Sequence, residues 1–328
     1  MKFELTSDQR DFMSALDGQI AAADPVAANR SWGDGDTKPG EALWERIAEV
    51  GVSGLLIAEE DGGLGATPVE LVCAFEVLGR HAVPGPWIES AAYLATALQG
   101  PERTAIADGA IATVATPYAL DADIAERYVA VDGVLHQADL GDPAQSVDPT
   151  RRLFTVTAGA AVAHGDLEAA FDLAVLAAAA ELLGAGERVL EDAVTYVKQR
   201  TQFGRTIGSY QAIKHQLANV RIALDFARPL IYGAAMSPTP RAVSAAKIQA
   251  ADAADLAARV GLQVHGAIGY TAEYDLSRWL LRIRALQSAW GTTAFHRERV
   301  LNDLLGPQGG RPRPTVSAAR GHQPEDPA

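Results

Sequence analysis

The chain has 328 residues, and its 41 Asp and Glu outnumber its 28 Lys and Arg, giving a formal net charge of −13 at pH 7. Because such a surface repels phosphates, we expect no nucleic acid among its partners. No apolar run reaches membrane-spanning length and the first residues lack the pattern of a signal peptide, so we expect no membrane partner either. The single cysteine, Cys73, excludes an internal disulfide and gives no basis for a metal site, which suits a reducing cytoplasm.

Residues 1–103 are predicted to form an N-terminal helical domain. A first helix begins near Asp8, behind a Thr-Ser pair that offers an N-cap, and Asp24-Pro25 interrupts it. Two further helices are predicted, Glu41–Val50 and Pro68–Gly79, each ended by a glycine. Between them, the glycine-dense run 59–65 predicts a loop.

The pattern changes over residues 104–165, which predict a small β domain. Three short runs there are rich in Val, Ile, Thr and Tyr, and Asp, Gly and Pro separate them: Ala110–Thr116, Tyr128–Val131 and Leu153–Thr157. A mainly α fold with one small β domain follows from this arrangement.

Residues 166–305 are predicted to form an antiparallel four-helix bundle. Long segments with apolar residues every three or four positions are joined by short connections: Asp166–Arg200, Tyr210–Met236 with a bend at Pro229, Arg241–Ile268 and Asp275–Leu305. Residues 306–328 are rich in Pro, Gly and charge, which predicts a disordered tail.

Two segments of the bundle carry candidate binding residues. The first reads Arg200-Thr201-Gln202-Phe203-Gly204. An arginine can bind a pyrophosphate with two hydrogen bonds, and Phe203 can pack on an adenine or plug the end of the bundle. The same residues also fit a plain helix C-terminus, where basic side chains complement the helix dipole and a glycine ends the helix.

The second segment covers residues 263–270. Gln263 offers an amide to an adenine or a ribose, and Gly266 lets the backbone approach a phosphate closely. A glycine pair at this spacing is also common in ordinary helix ends, so this segment alone leaves both interpretations open. His265 lies among apolar neighbours and is predicted to be structural rather than a base.

Together, the two segments resemble the R-x-Q-F-G and Q-x-x-G-G-x-G-[FY] signatures of the acyl-CoA dehydrogenase family. The resemblance implies that they hold the ADP half of FAD for a neighbouring subunit, with Tyr210 and Gln211 as a further contacting pair. Ala267 replaces the family's second glycine, and its methyl group can weaken this contact. The glycine-dense loop resembles the family's P-E-x-x-G-G-x-G run, although a plain turn fits it equally well.

The resemblance also shows what this chain lacks. The β region is shorter than the family's flavin-holding domain and matches its T-E-P motif only at residues 115–117. The family's catalytic glutamate lies in a Y-E-G-T run, where this chain has Trp290, and the alternative position for that glutamate falls on Ala174. Trp290 cannot accept a proton, so it can instead fill the pocket. Asp172 and Glu181 lie nearby on the same helix but on other faces, and we expect each to be solvated or paired at an interface.

The resemblance is closest to the shortened subunits of actinobacterial α2β2 acyl-CoA dehydrogenases. It implies FAD-dependent α,β-dehydrogenation of an acyl-CoA, which can be a bulky steroid-derived thioester. A complete partner subunit supplies the glutamate, while this chain supplies Arg200, Gln202, Gln263 and Gly266 to the partner's FAD. Two alternatives stay open: a homo-oligomeric dehydrogenase with a relocated base, and a flavin-free structural or regulatory partner.

Overall fold

The computed structural model describes residues 4–271 and 274–306. The predicted tail therefore lies outside the described residues, except for Gly306. Short helices form the N-terminal region: α1 Ser7–Ala21, α2 Pro25–Gly33, α3 Lys38–Glu49, α4 Pro68–Arg80, α5 Ala95–Ala97 and α6 Pro101–Ala107. A π-helical turn, Ile88–Leu94, leads directly into α5. The predicted boundary after residue 103 falls inside α6, so it does not separate two structural units.

The N-cap of α1 is Thr6, whose side chain accepts from Gln9 N while the Gln9 side chain binds the backbone N–H of Thr6. The predicted interruption at Asp24-Pro25 is present, but the chain re-enters a helix at once. Asp24 caps α2 and Pro25 occupies its first turn. This second helix was not predicted from the sequence.

A five-stranded sheet follows, with strands β1 Ala112–Ala115, β2 Ala119–Leu120, β3 Glu126–Val131, β4 Val134–Ala144 and β5 Leu153–Ala161 in the order β1-β3-β4-β5-β2. Strands β1 and β3 run parallel, and the other neighbours are antiparallel. Strands β2 and β4 were not predicted. Strand β4 carries an Asp-Leu-Gly-Asp-Pro run that is typical of a loop, and the register against β5 shifts there.

The C-terminal bundle consists of α7 Leu167–Gln199, α8 Gln211–Met236, α9 Pro240–His265, α10 Leu276–Leu286 and α11 Thr293–Leu305. The prediction of one helix over 275–305 is wrong, because the chain breaks between α10 and α11. Trp290 has φ +57° and Gly291 has φ +102°, and neither value is compatible with a right-handed helix. Helix α9 also ends three residues before the predicted position, at His265, and the C-cap Gly266 has φ +62°.

Helix α7 is the central helix of the fold. By length and composition alone it could cross a membrane, but 89% of its most apolar window is buried inside the protein, as expected of a core helix. Two glycines let α4 approach it closely. A Cβ on Gly79 would lie 2.1 Å from the Glu181 carbonyl oxygen, and one on Gly184 would lie 1.9 Å from the Glu76 carbonyl oxygen. Gly79 is therefore a packing residue, and it does not end the helix as predicted.

Arg282 ties the three regions together from α10. Its guanidinium donates to Glu181 on α7 at 2.8 Å, to Asp148 before β5 at 2.8 Å, and to the Val83 carbonyl oxygen after α4 at 3.0 Å. Burial raises the pKa of Asp148, but Arg282 and Thr150 outweigh this effect and hold that pKa below its usual range. The N-terminal region, the sheet and the bundle are thus joined through one buried charge cluster.

Candidate functional site

The first candidate segment forms a tight hairpin at the C-terminal end of α7. Arg200 is the C-cap of the helix and has extended backbone geometry. Strands β6 Thr201–Gln202 and β7 Arg205–Thr206 then pair around Phe203 and Gly204, whose φ values are +52° and +75°. Positive φ at both central residues is the requirement of a two-residue type I′ hairpin turn.

All residues of this hairpin are exposed. Phe203 is 92% exposed, so the prediction that it could plug the end of the bundle is wrong. Arg200 and Gln202 are exposed as well. The guanidinium of Arg205 lies 3.8 Å from the ring centroid of Tyr210, the residue that precedes α8, and Gln211 is the exposed first residue of that helix. Arg205 was not predicted as a site residue, although its charge beside Gly204 was the available signal.

The second candidate segment begins at the C-terminal end of α9. Gln263 is exposed, Gly266 is half-buried and Ala267 is exposed. Apart from Gly266 itself and its two chain neighbours, no atom of residues 4–271 or 274–306 lies within 4 Å of the position where Gly266 would carry a Cβ. The backbone here is therefore open to an approaching ligand, and its positive φ favours glycine.

The two segments lie at the same end of the bundle. Tyr196, one turn before Arg200, stacks on His265 with ring centroids 4.3 Å apart. The Nδ1–H of His265 donates to the Gly261 carbonyl oxygen at 2.7 Å. This histidine is buried inside the helix junction, which is the structural role that the sequence suggested.

The position of the family's catalytic base lies towards the opposite end of α7. Trp290 is 2% exposed, and its ring centroid lies 5.3 Å from that of Tyr93 and 5.9 Å from that of Phe171. Ala174, at the alternative position, is fully buried one turn after Phe171. Neither position provides a carboxylate for proton abstraction.

The expectation that Asp172 and Glu181 are solvated or paired at an interface is wrong. Asp172 is buried and accepts from Arg299 Nη2 at 2.7 Å, and Glu181 is buried against Arg282. Burial raises the pKa of Asp172, while Arg299 opposes this effect. Because both carboxylates have internal partners, neither is available as a replacement base.

A third carboxylate, Glu89, was not predicted from the sequence. It lies in the π-helical turn, and its Oε1 is 3.6 Å from Arg151 Nη2. Its Oε2 has no hydrogen-bond partner in the described part of the chain. Burial raises the pKa of this carboxyl, Arg151 opposes the shift, and the adjacent Trp290 indole opposes it further. A lone charge inside the apolar run 86–98 was the signal that could have identified it.

Comparisons with known proteins agree with this architecture. The family model described as "Acyl-CoA dehydrogenase, N-terminal domain" matches residues 6–99, and "Acyl-CoA dehydrogenase, C-terminal domain" matches residues 161–305. The chain is 35% identical to acyl-CoA dehydrogenase IpdE2 of Mycolicibacterium smegmatis over 251 residues, which cover 73% of this chain and 80% of that protein.

Two solved structures show the same fold at low sequence identity. A variant of the Tcur3481-Tcur3483 steroid ACAD superposes with a TM-score of 0.81 at 23% identity, covering 91% of this chain and 97% of that one. The ChsE4-ChsE5 complex from Mycobacterium tuberculosis superposes with a TM-score of 0.78 at 21% identity, covering 93% and 99%.

Proposed function

Because this chain belongs to the acyl-CoA dehydrogenase family, we propose that it is the subunit of a heteromeric enzyme that provides the ADP-binding side of the FAD site. A complete partner subunit provides the flavin-ring pocket and the catalytic glutamate. The observation that carries this proposal is the contrast between an exposed binding surface at one end of the bundle and a tryptophan at the base position.

FAD is the cofactor of this family, and the residues of this chain fit its ADP half. Arg200, Gln202 and Gln263 are exposed donors, and the open Gly266 backbone leaves room for a phosphate. For the flavin-ring half, the chain offers a five-stranded sheet, and the family's T-E-P motif is matched only at Ala115-Thr116-Pro117, where β1 ends. When bound, FAD supplies the acceptor for the β-hydride of the acyl thioester.

Within this proposal, the residues of the chain would bind and orient the ADP half of FAD. Arg200 would neutralise pyrophosphate charge, Gln202 and Gln263 would bind the adenosine, and Phe203 would pack on the adenine. Arg205 stacks on Tyr210, which supports the start of α8 beside Gln211. None of them takes up a proton, so the partner's glutamate must remove the α-proton of the substrate.

An apolar stripe on α8 supports a partner subunit. Ile222, Phe226 and Leu230 follow one another at intervals of four residues, and they are 52%, 68% and 46% exposed. Large apolar side chains aligned on one helix face mark an interaction surface. Of the two similar structures, ChsE4-ChsE5 is a complex and Tcur3481-Tcur3483 is a steroid ACAD. We therefore infer an α2β2 assembly in the cytoplasm that acts on a bulky, steroid-derived acyl-CoA.

Flavin stoichiometry tests the proposal. Expressed alone, the chain should be insoluble or nearly colourless, and co-expressed with its partner it should give about one FAD per αβ pair, because each site uses surfaces from both chains. Flavin absorbance against protein concentration measures this ratio. A tightly bound FAD on every isolated chain would contradict the heteromer, and a colourless complex would favour a structural or regulatory partner.

One observation favours a second candidate, a homo-oligomeric dehydrogenase with a relocated base. Glu89 is a buried carboxyl next to Trp290, and its pKa is raised, as is common for catalytic acids and bases. In that case the isolated chain would reduce its flavin with an acyl-CoA, and Glu89→Gln would abolish the reduction. The same variant should leave turnover by the proposed heteromer unchanged.

A further inference from the structure

Trp290 adopts a backbone conformation that bulky residues rarely adopt. Its φ of +57° lies in the left-handed region, and Gly291 follows with φ +102°. For a large side chain this conformation is unfavourable, and it persists only where the surroundings impose it. The neighbours of Trp290 must therefore hold this loop in place.

Two buried side chains hold the loop through its carbonyl groups. Lys247 on α9 donates from Nζ to the carbonyl oxygens of Leu286 at 2.7 Å and Ala289 at 3.2 Å. His296 on α11 lies 3.0 Å from the Trp290 carbonyl oxygen through Nε2 and 3.1 Å from Ser244 Oγ through Nδ1. Because a carbonyl oxygen only accepts, Nε2 carries the proton and Nδ1 accepts from the Ser244 hydroxyl.

Burying these groups is itself unfavourable. Lys247 is 1% exposed and His296 is fully buried. Burial, with nearby Arg151, lowers the pKa of Lys247 to about 7, and burial with Lys247 lowers the pKa of His296 to about 3. Two buried basic groups therefore hold one loop, and that loop carries a tryptophan in an unfavourable backbone conformation.

The indole that this loop carries packs against two aromatic rings. Its ring centroid lies 5.3 Å from that of Tyr93 and 5.9 Å from that of Phe171, a residue of α7 one turn before Ala174. Nε1 of Trp290 and Oε2 of Glu89 make no hydrogen bond of good geometry within the described ranges, although the indole lies close enough to the carboxyl to lower its pKa. This arrangement therefore fixes the indole ring in the space that it fills.

We propose that Trp290 is a locked plug: its indole fills the space that an acyl chain would need at this chain's own site, and Lys247 and His296 lock it there. The significance of the plug rests on the proposed function, because a closed site in this chain leaves one acyl site in each αβ pair. The plug itself is a property of this chain alone and can be tested in any assembly state.

The first test compares small substitutions at two buried tryptophans. Glycine is used where the backbone φ is positive, and alanine is used inside a helix. Trp290→Gly removes the plug and relieves the positive φ. Trp44→Ala is the control, because Trp44 is equally buried but lies in helix α3, stacks on Trp87 and donates to the Gly109 carbonyl oxygen at 2.8 Å. Indole binding by calorimetry and the melting temperature with and without indole are measured on the full chain, or on the co-expressed complex where the isolated chain is insoluble, with the wild-type complex as the baseline.

We expect Trp290→Gly to bind about one indole per chain and to regain melting temperature when indole is added, since a rigid apolar cavity accepts a matching ligand. Wild type should bind none. Trp44→Ala should lose more melting temperature, because its removal breaks a hydrogen bond and an aromatic stack. If Trp290→Gly binds no indole and loses as much stability as the control, Trp290 is an ordinary core residue and the plug is refuted.

The second test removes one of the side chains that hold the Trp290 loop and keeps Trp290 itself. Lys247→Met removes the donor to the loop carbonyls at nearly the same side-chain volume. The indole of Trp290 should then leave its pocket part of the time, so added indole should bind about tenfold more weakly than to Trp290→Gly but still measurably. No binding would refute the lock. FAD content and assembly with the partner report on the proposed function separately from both results.

Discussion

Polar side chains are exposed at one end of the helical bundle, the open end, and buried at the other, the closed end. At the C-terminal ends of α7 and α9, Arg200, Gln202 and Gln263 are exposed. Towards the other end, Lys247 and His296 are buried and bound to the loop of Trp290. At a ligand-binding surface, hydrogen-bond donors stay exposed until the ligand binds. At a site that no longer binds a ligand, the same space can be filled by core side chains. Substitutions at each end separately test this contrast.

The largest effect on stability is expected from the buried charge cluster around Arg282. Arg282→Met leaves Asp148 and Glu181 buried without their common cation, so the free energy of unfolding should fall by about 3–5 kcal/mol. Urea denaturation measures this loss. Arg284→Met, two residues along and exposed, is the control and should change little. Similar losses in both variants would mean that the cluster does not join the three regions.

The open end should respond in binding and not in stability. Arg200→Ala removes a bidentate charged contact worth about 1.5–3 kcal/mol, so FAD occupancy of the complex should fall about tenfold or more. The urea midpoint should not move, because Arg200 is exposed at a helix end. Arg259→Ala is the control, since that arginine is exposed on α9 and pairs within its own helix with Asp255. Unchanged flavin content would make Arg200 a simple helix-end charge.

The closed end should be sensitive to acid through His296. Its folded pKa is about 3 against an ordinary value of 6.5, so the unfolded chain binds the extra proton between these two pH values. Stability from this group is complete above pH 6.5, and its loss on acidification should reach about 2 kcal/mol by about pH 5. Lys247 and Arg299, the charged neighbours, oppose protonation further.

Urea midpoints of wild type and His296→Gln across this pH range isolate that contribution. The difference between the two proteins should shrink as the pH falls, because the variant has no imidazole to protonate. His215→Gln, on an exposed part of α8, controls for the loss of a histidine. A difference that stays constant with pH would place His296 outside the buried network.

The sequence singled out residues of the open end, whose binding role stays a prediction, and missed most residues of the closed end. Arg200, Gln202 and Gly266 belong to short contiguous segments, so their chemistry could be inferred without tertiary contacts. The closed end is assembled from residues distant in sequence: Glu89 of the N-terminal region and Lys247 and His296 of the bundle come close to the Trp290 loop only after these two regions pack together. The break between α10 and α11 was missed for the same reason, since a helical apolar spacing continues through it while the buried groups impose positive φ at Trp290.

The smallest effect is expected from Trp290→Glu, and it tests the contrast between the two ends of the bundle most directly. Trp290→Glu restores a carboxylate at the family's base position, but we expect it to add no second active site, because this chain provides only the ADP side of a flavin site. In a complex whose partner has lost its catalytic glutamate, turnover should be abolished, and Trp290→Glu should not restore it. Trp290→Gln, with the same shape and no charge, is the matched control. Anaerobic single-turnover flavin reduction by an acyl-CoA that the wild-type complex oxidises is the measurement. Flavin reduction that returns with Trp290→Glu and not with Trp290→Gln would mean that this chain places a flavin ring beside its own base position, and the closed end would then be a silenced but complete active site.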